Sequence, residues 1–458
     1  MITLGIDIGS TSIKALLFNA DEKKVLSMYA RNLDSRVRAA PAHYFEEDPI
    51  RVRDLTFEAI REATQYAKSQ GKSIERIAFT GQMHGGLFVD KDLQPLTNFV
   101  TWQDKRCDEV SDSGKKLIEE IRESVPTKTW DSTGGPIFTG FLGATVHWFI
   151  KHDRVPANAF KIFGIYDWLA SELCGKAVTD PSSAAAWGIY SIESMEWQKD
   201  ILRALRIKEA WLPDVVETGG LIGNVSNKFL NQLGLADGTK VVSGMGDTQA
   251  SFIGSGCGPN EVLVNFGTGS QAMWQRESFA RFKDTDTRYL PLGKYLVTVP
   301  TLSGGQAYAL LADLIQDIVR KFSGVEVDRD KVFETMNRIA QEADDLDSLK
   351  VIPYFNGSRT KGESLRASIS GLSRENFRID SLARATLGGM VDEIAAPYLA
   401  IPQNERPHSG IVGSGNGIRH NPALRSIAES KFGLPIRLSA CKEEAAFGAA
   451  MAAAGNLA

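Results

Sequence analysis

Residues 244–251 read Gly244-Met245-Gly246-Asp247-Thr248-Gln249-Ala250-Ser251, and residues 264–270 read Val264-Asn265-Phe266-Gly267-Thr268-Gly269-Ser270. The short apolar run Lys240-Val241-Val242-Ser243 before them has the pattern of a buried strand. Asp247 is expected at the end of that strand, between small residues. Gly244 and Gly246 let the backbone turn tightly and let a ligand come close. A second strand, over 262–265, runs into Gly267-Thr268-Gly269-Ser270, a turn of small residues with two hydroxyls. The backbone N–H groups of such a turn form a concavity that suits phosphate oxygens.

The start of the chain repeats this outline. Leu4-Gly5-Ile6-Asp7-Ile8-Gly9-Ser10-Thr11-Ser12-Ile13-Lys14 reads as strand, hydroxyl-rich turn, strand. Gly9 falls on Gly267, Ser10 on Thr268 and Ser12 on Ser270. Either hairpin alone is more often an ordinary β-turn. The pair, with an acid near each, points to a duplicated domain and to two phosphate-cradling turns facing each other across a cleft.

A chain of 458 residues fits two or three domains. The turn Leu235-Ala236-Asp237-Gly238-Thr239 is the expected boundary, giving domains 1–238 and 239–458. The net charge of −4, with no basic run carrying interleaved aromatics, argues against nucleic acid and anionic membranes as partners. Four cysteines, Cys107, Cys174, Cys257 and Cys441, lie far apart, without zinc spacing or disulfide density. They read as reduced thiols of a cytoplasmic protein. Met1 opens straight into a strand, which argues against a signal peptide. No apolar run reaches the ~18 residues of a membrane span.

Along the chain, the first hairpin is followed by a strand over 25–30, a helix over 50–70 capped by Asp48-Pro49, and a strand over 76–80. The motif Gly81-Gln82-Met83-His84-Gly85 then sits at a strand's carboxyl end, where ligands favour α/β sheets. Gln82 and His84 can bond hydroxyls, although a lone histidine is more often a core or surface residue. Trp102-Gln103-Asp104-Lys105-Arg106 combines an aromatic, an amide, an acid and two bases. That mixture suits a polyol; the competing reading is a strand end with a surface salt bridge, and Arg106 is alternatively placed to orient Asp104. A helix is expected over 194–205. Ser303-Gly304-Gly305-Gln306-Ala307 precedes a long helix over 308–322, and its small residues admit phosphate or a base edge to the helix N-terminus. A helix over 380–396 is expected, with Asp380 as N-cap and Pro397 just past its end. The loop Gly413-Ser414-Gly415-Asn416-Gly417 lacks the spacing of a dinucleotide fingerprint. A final helix over 442–450, rich in small residues, is expected to pack across the cleft through Gly448.

Taken in order, Asp7-Ile8-Gly9-Ser10-Thr11, Gly81-Gln82-Met83-His84-Gly85, Gly246-Asp247 and Gly413-Ser414-Gly415-Asn416 resemble the FGGY family of carbohydrate kinases. The resemblance covers essentially the whole chain. It implies the α/β actin/hexokinase-like ATPase fold: two ribonuclease-H-like domains with an intervening cleft. It also implies an ATP-dependent phosphotransferase acting on the primary hydroxyl of a ketose. Asp247 falls on the family's catalytic base and on its acceptor site. Gln82, Met83, His84, Trp102 and Asp104 fall on the sugar side. Gly9, Ser10, Thr11 and Lys14, with Gly267, Thr268, Gly269 and Ser270, fall on the phosphate turns. Gly413, Ser414, Gly415 and Asn416 fall near the adenosine, and Gly304 and Gly305, from their place before a helix, are expected to bind the nucleotide as well. Asp7 and Asp247 would hold Mg2+.

Many members carry a lysine where this chain has Thr145, in Gly143-Ala144-Thr145-Val146-His147-Trp148. In this the chain is similar to the sedoheptulokinases of the family, as it is at Tyr166-Asp167-Trp168 and Leu212-Pro213-Asp214. Sedoheptulose is therefore the expected acceptor, with xylulose or another ketose as the alternative. An actin- or Hsp70-like nucleotide switch is the competing class, but a switch has no need of the sugar-side motifs. Association into a homodimer is left open.

Overall fold

The structure is a computed structural model that describes residues 1–38, 41–267, 269–343, 348–358, 362 and 364–457. Its chain forms two compact units. One comprises Met1–Gly254, Arg288–Tyr295 and Glu443–Ala458; the other comprises Ser255–Thr287 and Leu296–Lys442.

The first unit is built on a six-stranded sheet in the order Leu221–Asn224, Lys240–Gly246, Arg76–Gly81, Ile2–Ile8, Ser12–Asn19, Lys24–Asn32. Ile2–Ile8 runs antiparallel to Ser12–Asn19 and parallel to Arg76–Gly81, which is in turn parallel to Lys240–Gly246. Every residue of Ile2–Ile8 is buried, as a strand covered on both faces must be. Helix Pro49–Ser69 covers one face. Asp48 starts it by accepting from Ile50 N at 2.9 Å, and Val52, Leu55, Ile60 and Ala63 turn inward at helical spacing. Each fully buried leucine or isoleucine contributes roughly 1.5–3 kcal/mol.

Two expectations change here. The first unit extends to Gly254 rather than ending at Gly238, because Lys240–Gly246 hydrogen-bonds into the first sheet. Asp247 therefore belongs to the first unit. The C-terminal helix Glu444–Ala454 also lies on the first unit's own sheet instead of packing across a cleft. A Cβ on Gly5 would come within 2.1 Å of Ala446 O and 2.4 Å of Ala450 N, so strand and helix backbones meet directly. Thr3 Oγ1 donates to Ala450 O at 2.9 Å in the same contact.

The second unit repeats the design. Its sheet order is Asp286–Leu290, Lys294–Pro300, Ser270–Arg276, Glu261–Phe266, Gly410–Ser414, Ile436–Leu438. Glu261–Phe266 is antiparallel to Ser270–Arg276 and parallel to Gly410–Ser414, which is parallel to Ile436–Leu438. Val262, Val264, Phe266 and Trp274 form its core with Leu387, Val391 and Ile394 of helix Ile379–Leu399. That helix starts on Arg378, not on Asp380, whose side chain accepts from Ser381 N inside the first turn. Pro397 lies in its last turn, where a missing N–H removes only one helical bond. In the first unit, helix Lys199–Leu205 is shorter than expected, since Glu196–Trp197 pairs as a strand with Tyr190–Ser191. None of the four cysteines forms a disulfide, and among the described residues no helix is long and apolar enough to cross a membrane.

Candidate active site

In the first unit, two carboxylates emerge at the carboxyl ends of strands that flank Arg76–Gly81. Asp7 is next to last in Ile2–Ile8, and Asp247 opens helix Asp247–Gly254 directly after Lys240–Gly246. Burial, and then the charge of Asp247, push the Asp7 carboxyl up to about 7. Burial also raises Asp247, against the pull of Arg288 and the hydrogen bonds of Thr248. Asp7 Oδ1 is buried and accepts no hydrogen bond. A buried carboxylate oxygen of this kind fits a hydrated divalent cation, which is bound through one or two carboxylates and its own waters.

Lys14 stands opposite Asp7 in the hairpin register, and its Nζ lies 2.5 Å from Glu443 Oε2. Burial opposes its charge, but Glu443 holds the ammonium above its ordinary range. Arg288 reaches the same place. Its Nη1 donates to Thr248 Oγ1 at 3.2 Å and lies 3.6 Å from Met83 Sδ, while Thr248 Oγ1 donates to Asp247 Oδ1 at 3.3 Å. Nothing local in the sequence marks Arg288.

The Gln82-Met83-His84 motif follows Arg76–Gly81. Gln82 is buried; its Nε2 donates to Glu47 Oε2 at 3.1 Å, and its Oε1 has no hydrogen-bond partner. Burial pushes Glu47 up to about 7. Met83 packs so tightly on Gly246 that a Cβ there would lie 2.5 Å from Met83 Sδ. His84 adopts φ 75°, stacks on Phe141 at 4.1 Å between ring centroids, and places Nδ1 2.8 Å from Ala186 O. The structure thus brings Asp7, Lys14, Met83 and Asp247 together in one unit, with His84 adjacent in the chain.

Trp102 and Asp104 part company. Trp102 is 44 % exposed, so its ring is available to cover an apolar face. Asp104 is 0 % exposed, and its oxygens accept four bonds: Phe45 N at 2.8 Å, Arg106 N at 2.9 Å, Arg106 Nε at 2.8 Å and Arg106 Nη2 at 3.0 Å. Arg106, itself buried, also donates to Glu46 Oε1 at 2.6 Å and lies over the rings of Tyr44 and Trp148. As placed, Asp104 has no lone pair left for a sugar hydroxyl. The pair is buried and so is not a surface salt bridge; the geometry favours Arg106 orienting Asp104.

The two glycine turns are built differently. In the first hairpin Gly9 N donates to Ser12 O at 3.0 Å, and Ser10 and Thr11 are exposed. In the second unit Gly267 N donates to Gly269 O at 3.0 Å, and Gly305 N donates to Gly267 O at 3.0 Å. Gly304 abuts the same turn, since a Cβ on it would lie 2.2 Å from Gly269 C. Ser270 N donates to Thr301 Oγ1 at 3.0 Å, and the buried Ser270 Oγ has no partner. Gly415, at φ 84°, approaches the end of Glu261–Phe266 so closely that a Cβ would lie 2.4 Å from Asn265 Oδ1. The turn, the start of helix Gly304–Ser323 and the loop with Gly413, Ser414, Gly415 and Asn416 therefore converge. Asn356 joins them, donating through Nδ2 to Gln306 Oε1 at 2.8 Å and through N to Ser303 Oγ at 3.3 Å. Asn265 and Asn356 were not singled out from the sequence. Thr268 lies outside the described residues.

Comparison with known proteins places the chain in a family. Residues 2–254 match the N-terminal domain of the FGGY family of carbohydrate kinases, and residues 262–457 match its C-terminal domain. Sedoheptulokinase of Homo sapiens is 26% identical over 98% of this chain and 96% of its own length. Xylulose kinase of Staphylococcus xylosus is also 26% identical, over 98% of this chain and 90% of its own. Xylulose kinase from Rhodospirillum rubrum superposes with a TM-score of 0.88 at 22% identity, covering 99% of this chain and 89% of that one. Plasmodium falciparum glycerol kinase with ADP superposes with a TM-score of 0.83 at 19% identity, covering 99% and 89%. The fold is the α/β actin/hexokinase-like one, with a mixed six-stranded sheet in each domain. Both domain signatures match in order along nearly the full length, and the chain belongs to the FGGY family of carbohydrate kinases, phosphotransferases with an alcohol acceptor.

Proposed function

We propose that this ATP-dependent sugar kinase phosphorylates the terminal primary hydroxyl of sedoheptulose, with Asp247 as general base. The observation that carries the reading is the place of Asp247. It is a carboxylate at a strand's carboxyl end and a helix N-terminus, beside Met83 of the acceptor motif. The acceptor oxygen attacks the γ-phosphorus, the bond from that phosphorus to the β–γ bridging oxygen breaks, and the hydroxyl proton passes to Asp247. Such assistance is typically worth ~10²–10⁴-fold. Positioning and charge neutralisation supply most of the remainder.

Gln82, Met83, His84 and Trp102 are assigned to the sugar, and Asp104 to holding the Trp102 segment through Arg106. Gly9, Ser10 and Thr11 are assigned to phosphate, as are Gly267, Thr268, Gly269 and Ser270 of the second unit. Gly304, Gly305, Gly413, Ser414, Gly415 and Asn416 are assigned to the rest of the nucleotide. Lys14, paired with Glu443, balances the acids at Asp7 more directly than it meets a phosphate. Asp7 and Asp247 would hold Mg2+, which when bound neutralises phosphate charge.

The Gly143–Trp148 outline and the human relative support sedoheptulose. Xylulose is the second reading, because the Staphylococcus xylosus xylulose kinase is equally similar. ADP release from Mg-ATP with sedoheptulose, xylulose, ribulose, glycerol or no acceptor tests both. Strong dependence on sedoheptulose, with phosphate on its terminal carbon, is expected. Preference for xylulose would replace the acceptor, and equal release without any acceptor would overturn the kinase mechanism.

A further inference from the structure

The short helix Pro181–Ala186 touches the proposed machinery at both ends. Near its start, Ser182 Oγ accepts the Gly246 N–H at 2.8 Å. At its end, the Ala186 carbonyl lies 2.8 Å from His84 Nδ1 and accepts its proton. Gly246 is the residue before Asp247, and the strand is irregular there. Pairing of Lys240–Gly246 with Arg76–Gly81 shifts register between Val242 and Met245, and a Cβ on Gly244 would lie 1.7 Å from Phe79 O. Such a bulge re-aims the residues that follow it. Met83 presses on Gly246 from its side chain, and Ser182 fixes its N–H.

Ser182 is itself held in one orientation. It is 1 % exposed, and its hydroxyl donates to Asp180 Oδ1, which leaves its lone pairs for Gly246. Asp180 caps the helix through Ser182 N at 2.8 Å and accepts from Tyr166 Oη at 2.7 Å. Ser183 donates to Asp167, which also accepts from Thr179 Oγ1 at 3.1 Å. Every polar side chain of the helix is thus tied down beneath the site, an arrangement that locks rotamers around a functional group.

We infer that Ser182 is a positioning residue for phosphoryl transfer: through the Gly246 N–H it sets the peptide that aims Asp247, while the same helix aims His84 through the Ala186 carbonyl. The inference rests on Asp247 as the general base. A misplacement of about 1 Å can cost ~10²-fold in rate. Ser182→Ala should therefore lower kcat by about 10–100-fold, with the KM for ATP changed by less than about twofold. Calorimetric ADP affinity should be unchanged. Ser182→Cys, close in size and a weaker acceptor, should lose less. It also decides the matter if the alanine variant fails to fold. In an Asp247→Asn background, Ser182→Ala should cause little further loss, since the two act as one unit.

A parental kcat in folded Ser182→Ala or, where that variant does not fold, in Ser182→Cys, beside an Asp247→Asn variant of strongly reduced turnover, would overturn this inference alone. An equal loss from Ser182→Ala in both backgrounds would also overturn it. Full activity of Asp247→Asn would overturn the base assignment and this inference with it.

Discussion

The two hairpins share a backbone plan and differ at one chemical position. Two residues before Gly9 stands Asp7; two residues before Gly267 stands Asn265. Each strand pairs antiparallel with the next and parallel with a later one. Each of these two side chains keeps a buried Oδ1 with no hydrogen-bond partner. Around Asp7 lie Asp247, Lys14 and Glu443, so its oxygen belongs to a charged cluster. Around Asn265 lie Gly415 and the backbone of Phe266, and its oxygen belongs to a neutral one. A carboxylate suits a cation, whereas an amide beside a phosphate turn adds no repulsion. One topology thus carries an acidic cluster in the first unit and a neutral one in the second.

Of the exchanges between the two hairpins, making the first resemble the second should have the larger effect. Asp7→Asn is expected to lower kcat by about 10²-fold and to move the magnesium dependence of ADP release to higher concentration. An unchanged magnesium titration would remove Asp7 from the cation's surroundings. The reverse exchange, Asn265→Asp, puts a carboxylate beside the proposed phosphate turn. It should raise the KM for ATP about tenfold, with a parallel loss of calorimetric ADP affinity and little change in acceptor KM.

Trp102→Ala sharpens the contrast from the acceptor side. It should raise acceptor KM several-fold to about tenfold while sparing the KM for ATP. The smallest effect concerns stability. Burial holds the Glu47 carboxyl at about 7, above its unfolded value, so the folded state keeps a proton that the unfolded chain has lost. Stability contributed at this site is therefore greatest at low pH and declines as pH rises from about 4.5 through about 7. Glu47→Gln should flatten that decline by an amount of order 1 kcal/mol, read as melting temperature between pH 5 and pH 8. Parallel pH profiles for parent and variant would count against a protonated Glu47.

Local features of the fold were legible in the sequence. Both hairpins and the Asp48 cap of Pro49–Ser69 follow from short-range patterns. The glycine loops were legible for the same reason, since turn chemistry is written in adjacent residues. Features set by distant pairing were not. The boundary moved because Lys240–Gly246 pairs with a strand some 160 residues earlier in the chain. Arg288 reaches Thr248 and Met83 from a segment with no motif of its own. Asp104 read as a sugar ligand because its neighbours suit a polyol. Its actual partners include Phe45 N, fifty-nine residues away, and the guanidinium of Arg106. The same holds for Ser182, whose bond to Gly246 spans sixty-four residues.

The most direct test of the account is sedoheptulose-dependent ADP release by Asp247→Asn beside the parent protein, with ADP affinity measured on both. The prediction is retained ADP affinity and a loss of turnover of about 10²–10⁴-fold. Turnover at the parental rate would contradict Asp247 as the base and, with it, the division of labour between the two halves.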